Sequence, residues 1–322
     1  ADDQEAEVSS ASLMPLEETF MSDQIAAPAR GAPNAHLRPR RKRRRDWKGL
    51  LYVAPALALV LVFFLLPLCM TAWMSLHNWP LLGLPRWIGF GNYKALWNDR
   101  NFWNALAFTI RYTIAATIGL LALGLSLALL VEKDRPFSGV YRTAFFMPVV
   151  IGFASASLLW SWLSNVDTGL FSPLAEELGL TQGRVNLLAT FTPAFWSVTA
   201  MVLWKMAGFY MVILMSGLQA IPTDFIEAAR IDGANAFQRF RFIVVPLLRR
   251  PFALALILCV SGSMLAFDQF YIILAGGPQN STVTAVYWIF SQSFVSFRLG
   301  YGAALSMVLL VILLVLSAIQ LR

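Results

Sequence analysis

The chain has 322 residues, 58% of them hydrophobic and only 13% charged, and a formal net charge of +7. Water-soluble domains carry about 25% charged residues, so this composition excludes an ordinary soluble enzyme. The positive balance does not read as a nucleic-acid patch, because eight basic residues crowd between Arg38 and Lys48, directly before the first long apolar block, where a membrane-topology signal belongs.

Taken in chain order, residues 1–37 are polar and acidic, with much Ala, Ser and Pro. Such a stretch cannot bury a core, so residues 1–48 are expected to form a disordered, basic-ended cytoplasmic tail. Met14 and Met21 stand as candidate internal starts, and no cleavable signal peptide is evident. Residues 49–322 are expected to form one transmembrane domain. Six spanning helices are predicted, at Leu50–Leu76, Ala105–Val131, Tyr141–Leu163, Pro193–Gly217, Pro251–Leu274 and Tyr301–Leu321. At about 1.5 Å per residue each can cross a hydrocarbon core of about 30 Å. Pro55 and Pro67 lie in the first, which membrane helices tolerate. Val283–Phe297 is short and is interrupted by Ser291, Gln292, Ser293 and Ser296. It is expected to lie on the outer face or to re-enter rather than to span. The fold class is therefore all-α integral membrane, with six transmembrane helices.

Orientation follows from the basic residues. Lys133, Arg135 and Arg142 lie between the second and third spans. Arg230, Arg239, Arg241, Arg249 and Arg250 lie between the fourth and fifth. Both termini and these loops are expected in the cytoplasm. Cys69 and Cys259 sit inside apolar blocks, and His36 and His77 are isolated, so neither a disulfide framework nor a metal site is indicated.

One polar segment stands apart. Glu227, Ala228, Ala229, Arg230, Ile231, Asp232, Gly233 and Ala234 begin a charged helix-and-turn run that ends at Pro246, between two apolar stretches. Thr223 or Asp224 can cap a helix after Pro222, with Glu227 three residues beyond Asp224 as in a capping box. Gly233 permits a sharp turn with positive φ, and Asn235 can cap a second short helix. Phe225, Ile226, Phe237, Phe240 and Ile243 are the expected packing residues.

Glu227, Ala228, Ala229, Asp232, Gly233, Ala234, Phe240, Ile243 and Pro246 stand at the spacing of the EAA loop, and the segment resembles that loop in binding-protein-dependent ABC importer permeases. The resemblance implies the type I importer permease fold. It also implies that residues 218–250 form a coupling loop whose Glu227–Gly233 helix enters a cleft of a cytoplasmic ATPase. Glu227, Ala228, Ala229, Asp232, Gly233 and Ala234 are the coupling residues it assigns. The chain itself would be no enzyme, because no Gly-x-x-x-x-Gly-Lys-Ser/Thr phosphate loop occurs in it. ATP and Mg belong, on this reading, to two ATP-binding cassette subunits, and this chain carries no cofactor. A second permease and an extracytoplasmic solute-binding protein complete the implied assembly in a bacterial plasma membrane, with lipid around it and no nucleic acid. ATP-driven closure of the ATPase dimer would switch the bundle from inward- to outward-facing.

Further segments resemble the maltose-type, carbohydrate-uptake branch. They are Trp87 through Tyr93 with Asp99, Phe102, Trp103, Ala105 and Leu106; Tyr141 through Pro148; Trp204, Lys205, Gly208 and Phe209; and Gly276, Gly277, Pro278, Thr282, Phe294, Gly300 and Tyr301. A sugar is the cargo the branch implies. Glycerol 3-phosphate or its diesters is the alternative, and that cargo needs a cationic clamp, for which Lys205 is the mid-span candidate. An ATP-independent secondary transporter is the competing class, and it would show ion-coupling carboxylates and inverted repeats.

Polar residues inside spans are costly and point to function. Trp204, Lys205 and Tyr210 in the fourth span, with Asp268, Gln269 and Tyr271 in the fifth, make a set that suits a sugar path, aromatic faces beside hydrogen-bonding side chains. Two readings stand open for it: a cavity lining, or contacts that serve assembly alone. Arg111, near the outer end of the second span, reads as an interfacial anchor.

Overall fold

In a computed structural model the described residues are 47–132, 137–179, 181 and 183–321. The expected tail, its basic run up to Arg45, and Lys133 and Arg135 lie outside them. The chain divides into two units, Ala1–Pro55 and Ala56–Arg322. In the first, the described residues 47–55 are helical.

Helix α1 (Trp47–Val60) passes through one π-helical stretch, Leu61–Leu65, into α2 (Leu66–Ser75). A two-residue ladder, β1 (His77–Asn78) with β2 (Arg86–Trp87), pairs His77 with Trp87 and adds a small sheet to an otherwise helical chain. Short α3 (Gly91–Trp97) precedes α4 (Arg100–Val131), which is capped by the Asp99 carboxylate accepting from the backbone of Asn101 and Phe102. Then come α5 (Ser138–Val150), α6 (Phe153–Leu163), α7 (Phe171–Glu177) and α8 (Phe191–Gln219).

The third predicted span is not one helix. Its halves α5 and α6 are bent by 94°. Ile151 and Gly152 both take extended backbone (ψ 133° and 148°), so the helical hydrogen bonds stop there. After α8 the chain forms α9 (Thr223–Ile231), α10 (Ala236–Arg239), a π-helical stretch Phe240–Val244, α11 (Val245–Leu247) and α12 (Arg249–Met264).

The fifth predicted span also needs correction. Helix α12 ends at Met264, and α13 (Asp268–Leu274) is a separate helix. Ala236–Leu247 and Arg249–Met264 meet at 68°. Helix α14 (Ala285–Phe290) with the π-helical stretch Ser291–Val295 is too short to cross, at about 1.5 Å per residue. It packs beside α15 (Leu299–Gln320). Among the described residues, four helices are long and apolar enough to cross a membrane alone, and up to six crossings are reached if each bent pair counts as one.

Helices α4 and α8 pack along their length, with α12 against both, around Tyr112, Ala116, Leu120, Met201, Met211, Leu214 and Cys259. Tight approach needs small residues here. A Cβ on Gly208 would lie 2.1 Å from the Phe145 carbonyl oxygen, so only glycine lets α8 cross α5 there. A second core joins α3, α14 and α15 to the start of α4 through Leu96, Phe102, Leu106, Met264, Tyr301 and Leu305.

Candidate coupling elbow and translocation path

The elbow forms as a helix, a turn and a second helix. Helix α9 starts directly after Pro222, whose extended backbone makes it the N-cap, and no side chain caps it. The expected cap from Thr223 or Asp224 and its capping box to Glu227 are therefore absent. Asp224 sits in the first turn instead, where a carboxylate favours the helix dipole. The C-terminus is a Schellman motif: the Ala234 N–H donates to Ala229 O (2.9 Å) and the Gly233 N–H to Arg230 O (3.1 Å). Gly233 has φ +79°, the left-handed conformation this motif needs, with open space where a Cβ would go. The second helix begins with a full capping box. Asn235 Oδ1 accepts from the Gln238 N–H, and Gln238 Oε1 accepts from the Asn235 N–H, both at 2.8 Å. Asn235 was legible in the sequence; its partner Gln238 was missed, although Asn-x-x-Gln is the capping-box spacing. Arg239 adds a bond from its guanidinium to Ala234 O.

The apolar residues of the elbow divide. Ile226, Phe240 and Ile243 are half-buried, as expected of packing residues. Phe225 and Phe237 are not: they are 54% and 73% exposed, with Ile231 and Phe242 at 87% and 70%. Four large apolar side chains thus face outward among exposed charges, including Asp224, Glu227, Arg230 and Asp232. Such a surface suits a protein partner better than water or lipid tails.

The six path candidates sit on α8 and α13, three on each, in different surroundings. Lys205 is 3% exposed; its Nζ donates to Val149 O (3.3 Å) and lies 4.5 Å from the Phe153 ring centroid. It therefore grips the bend between α5 and α6, one turn from Gly208. Tyr210 is buried against α4, where a Cβ on Gly124 would meet its own Cβ at 2.8 Å. Gln269 is buried and donates to Tyr112 Oη (3.3 Å). Two of the six offer open aromatic faces, Trp204 and Tyr271, each 41% exposed. Trp204 lies 6.1 Å from Trp160. Tyr271 stacks on Phe267 at 5.1 Å and meets Tyr287 and Phe290 edge-on at 5.3 Å. Asp268, half-buried, begins α13 beside that cluster. Among the described residues no side-chain hydrogen bond joins Trp204, Lys205 or Tyr210 to Asp268, Gln269 or Tyr271.

The segments around the start of α4 hold a polar knot. Asp99 Oδ2 accepts from Tyr301 Oη (2.6 Å) and Trp288 Nε1 (3.1 Å) while Oδ1 caps α4. Asn92 donates to Ser75 O and His77 O, tying α3 to the end of α2.

The family model for the binding-protein-dependent transport system inner membrane component matches residues 120–322. The chain belongs to this family. It is a multi-pass membrane permease, and the matched region holds the whole elbow and all six path candidates, three on α8 and three on α13. The permease is 33% identical over 270 residues to the probable starch degradation products transport system permease protein AmyD of Thermoanaerobacterium thermosulfurigenes, covering 84% of this chain and 91% of AmyD. It is 34% identical over 278 residues to the sn-glycerol-3-phosphate transport system permease protein UgpA of Agrobacterium fabrum, covering 84% of this chain and 92% of UgpA. In fold it resembles a chain of a bacterial ABC transporter that imports the acidic polysaccharide alginate, with TM-score 0.75 at 20% identity over 86% of this chain and 94% of that one. The expected importer permease fold is thereby met.

Proposed function

We propose that this permease is the membrane subunit of an ATP-driven importer for a carbohydrate, and that α9 with its Gly233 turn is where a separate ATPase subunit docks. The observation that carries the proposal is the elbow itself. It is a rigid, doubly capped turn that projects Phe225, Ile231 and Phe237 outward. Its chemistry suits a protein cleft: small Ala228 and Ala229 allow close approach, and Glu227 and Asp232 are free to meet basic groups. In the assembly we propose, a second permease completes the path, two ATP-binding cassette subunits hold ATP and Mg, and an extracytoplasmic binding protein delivers the solute. Both termini and the elbow lie in the cytoplasm of a bacterium, as the loop arginines require.

Likeness to a starch-product permease supports a saccharide cargo. Exposed Trp204 and Tyr271 support it too, since sugar rings stack on aromatic faces. Lys205 and Gln269 serve helix packing on this reading, not cargo. A polyol phosphate is the second reading, favoured by the equal likeness to a glycerol-3-phosphate permease.

Gly233→Asp tests the docking proposal. A Cβ in the left-handed region costs about 1 kcal/mol, and the added carboxylate lies at the docking turn. The variant is expected to reach the membrane in normal amount but to lose ATP-dependent uptake and to retain less ATPase on purification. Normal uptake with normal ATPase retention would contradict the proposal. Uptake that persists after the ATPase is deleted would instead favour an ATP-independent transporter.

A further inference from the structure

A cavity of about 600 Å³ lies between the first third of α4, the start of α8 and the turn after α13. Arg111, Asn104, Gln279 and Asn280 line it, with Phe108 and Trp288 as apolar wall. Volume and lining match small-molecule sites, in which a few polar groups converge among aromatic rings.

The walls are fixed by bonds that leave these polar groups unused. Trp288 is pinned by Asp99, and the Ala285 N–H donates to Thr109 Oγ1 (2.9 Å), locking α14 to α4. The turn is held by Ser281 Oγ donating to Pro278 O (2.6 Å) and by Thr282 donating to Gly277 O. Within it Gln279 and Asn280 both take left-handed backbone (φ +52° and +59°), a conformation that asparagine adopts readily and glutamine rarely. Among the described residues, the side chains of Arg111, Asn104, Gln279 and Asn280 make no hydrogen bond. Arg111 is exposed on α4, and an exposed guanidinium is expensive against lipid tails, so a water-filled cavity suits it. Arg111, read from the sequence as an interfacial anchor, also lines this cavity. Lys205, the cation expected to clamp an anion, is committed to Val149.

We infer that this cavity binds a polyhydroxylated oxyanion, a sugar or polyol bearing a carboxylate or phosphate, with Arg111 on the oxyanion and the three amides on hydroxyls. The inference deepens the importer reading by naming the class of cargo. One other source offers the same chemistry, the glycerol phosphate headgroup of an anionic lipid.

The test is equilibrium binding of radiolabelled glucuronate, glucose 6-phosphate and glucose to the complete transporter in phosphatidylcholine nanodiscs without ATP. Both anions are expected to bind more tightly than glucose. Arg111→Gln is expected to weaken the anions about tenfold and to change glucose less than about twofold, because a charge-assisted bond is lost. Arg111→Lys, which keeps the charge without the planar fork, is expected to fall between, and it serves if the Gln variant does not assemble. Asn280→Ala is expected to weaken all three sugars a few-fold. The same measurement in nanodiscs containing phosphatidylglycerol separates the sources: competition by that lipid, abolished in Arg111→Gln, assigns the site to a headgroup. No binding of either anion at millimolar concentration, or equal affinities for wild type and Arg111→Gln in both lipids, overturns the inference. That failure would leave the docking proposal untouched, since it involves neither ATP nor the elbow.

Discussion

Asp99 and Gly233 both stand at helix ends, and the regions around them are built in opposite ways. At Asp99 the chain satisfies itself: one carboxylate caps α4 and accepts from Trp288 and Tyr301, residues 189 and 202 positions away. At Gly233 the bonds are local, within Ala228–Arg239, and the large side chains Phe225, Ile231, Phe237 and Phe242 point outward. The first region closes three helices into one body. The second is a stiff lever whose apolar face has no partner within the described chain. A permease that is moved by another protein needs both, a bundle end that holds together and an elbow that can be gripped.

The largest expected effect is at the knot. Asp99→Ala removes a helix cap and leaves the Trp288 N–H and Tyr301 O–H without their acceptor, so a loss of about 2–4 kcal/mol is expected. Thermal unfolding in detergent checks it; an unchanged midpoint would show that this end of the bundle is held by apolar packing alone. At the elbow the caps count for less. Asn235→Ala is expected to cost about 1 kcal/mol, confined to α10 and the π-helical stretch after it. Hydrogen exchange should rise there and stay unchanged in α4 and α8. A global rise would mean that the elbow is part of the main folding unit. The smallest effect on stability is expected from Phe237→Ser, within about 0.5 kcal/mol, because the ring is already exposed. The same variant should nonetheless retain less ATPase, which separates a docking surface from a structural one.

This contrast also explains what the sequence disclosed. Apolar length revealed the spanning helices, and residues 223–246 stood out because charges and a glycine interrupt long hydrophobic blocks. The breaks at Ile151–Gly152 and after Met264 stayed hidden because each lies inside a stretch long enough to span, so Pro148 and Gly152 in one and Asp268 and Gln269 in the other were absorbed into a single helix. Gly208 was visible as a motif residue, but its reason, contact with the Phe145 carbonyl, depends on how two distant helices cross. Lys205 was read as a path residue because charge inside a span signals function. The structure gives it a carbonyl at a helix bend, a partner 56 positions away that no local pattern displays. Asp99 and Tyr301 could be quoted from separate motifs, yet their bond needs the fold.

The central claim is that force enters through the elbow from a separate ATP-hydrolysing chain. Its most direct measurement uses Ile231→Cys in a background where the exposed native thiol is removed by Cys69→Ser. In the assembled transporter, a short bifunctional thiol reagent should link position 231 to the ATPase subunit, with a yield that changes on adding ATP. In intact cells a membrane-impermeant maleimide should not reach it. Labelling from outside, or no cross-link to any nucleotide-hydrolysing subunit in either nucleotide state, would contradict the account.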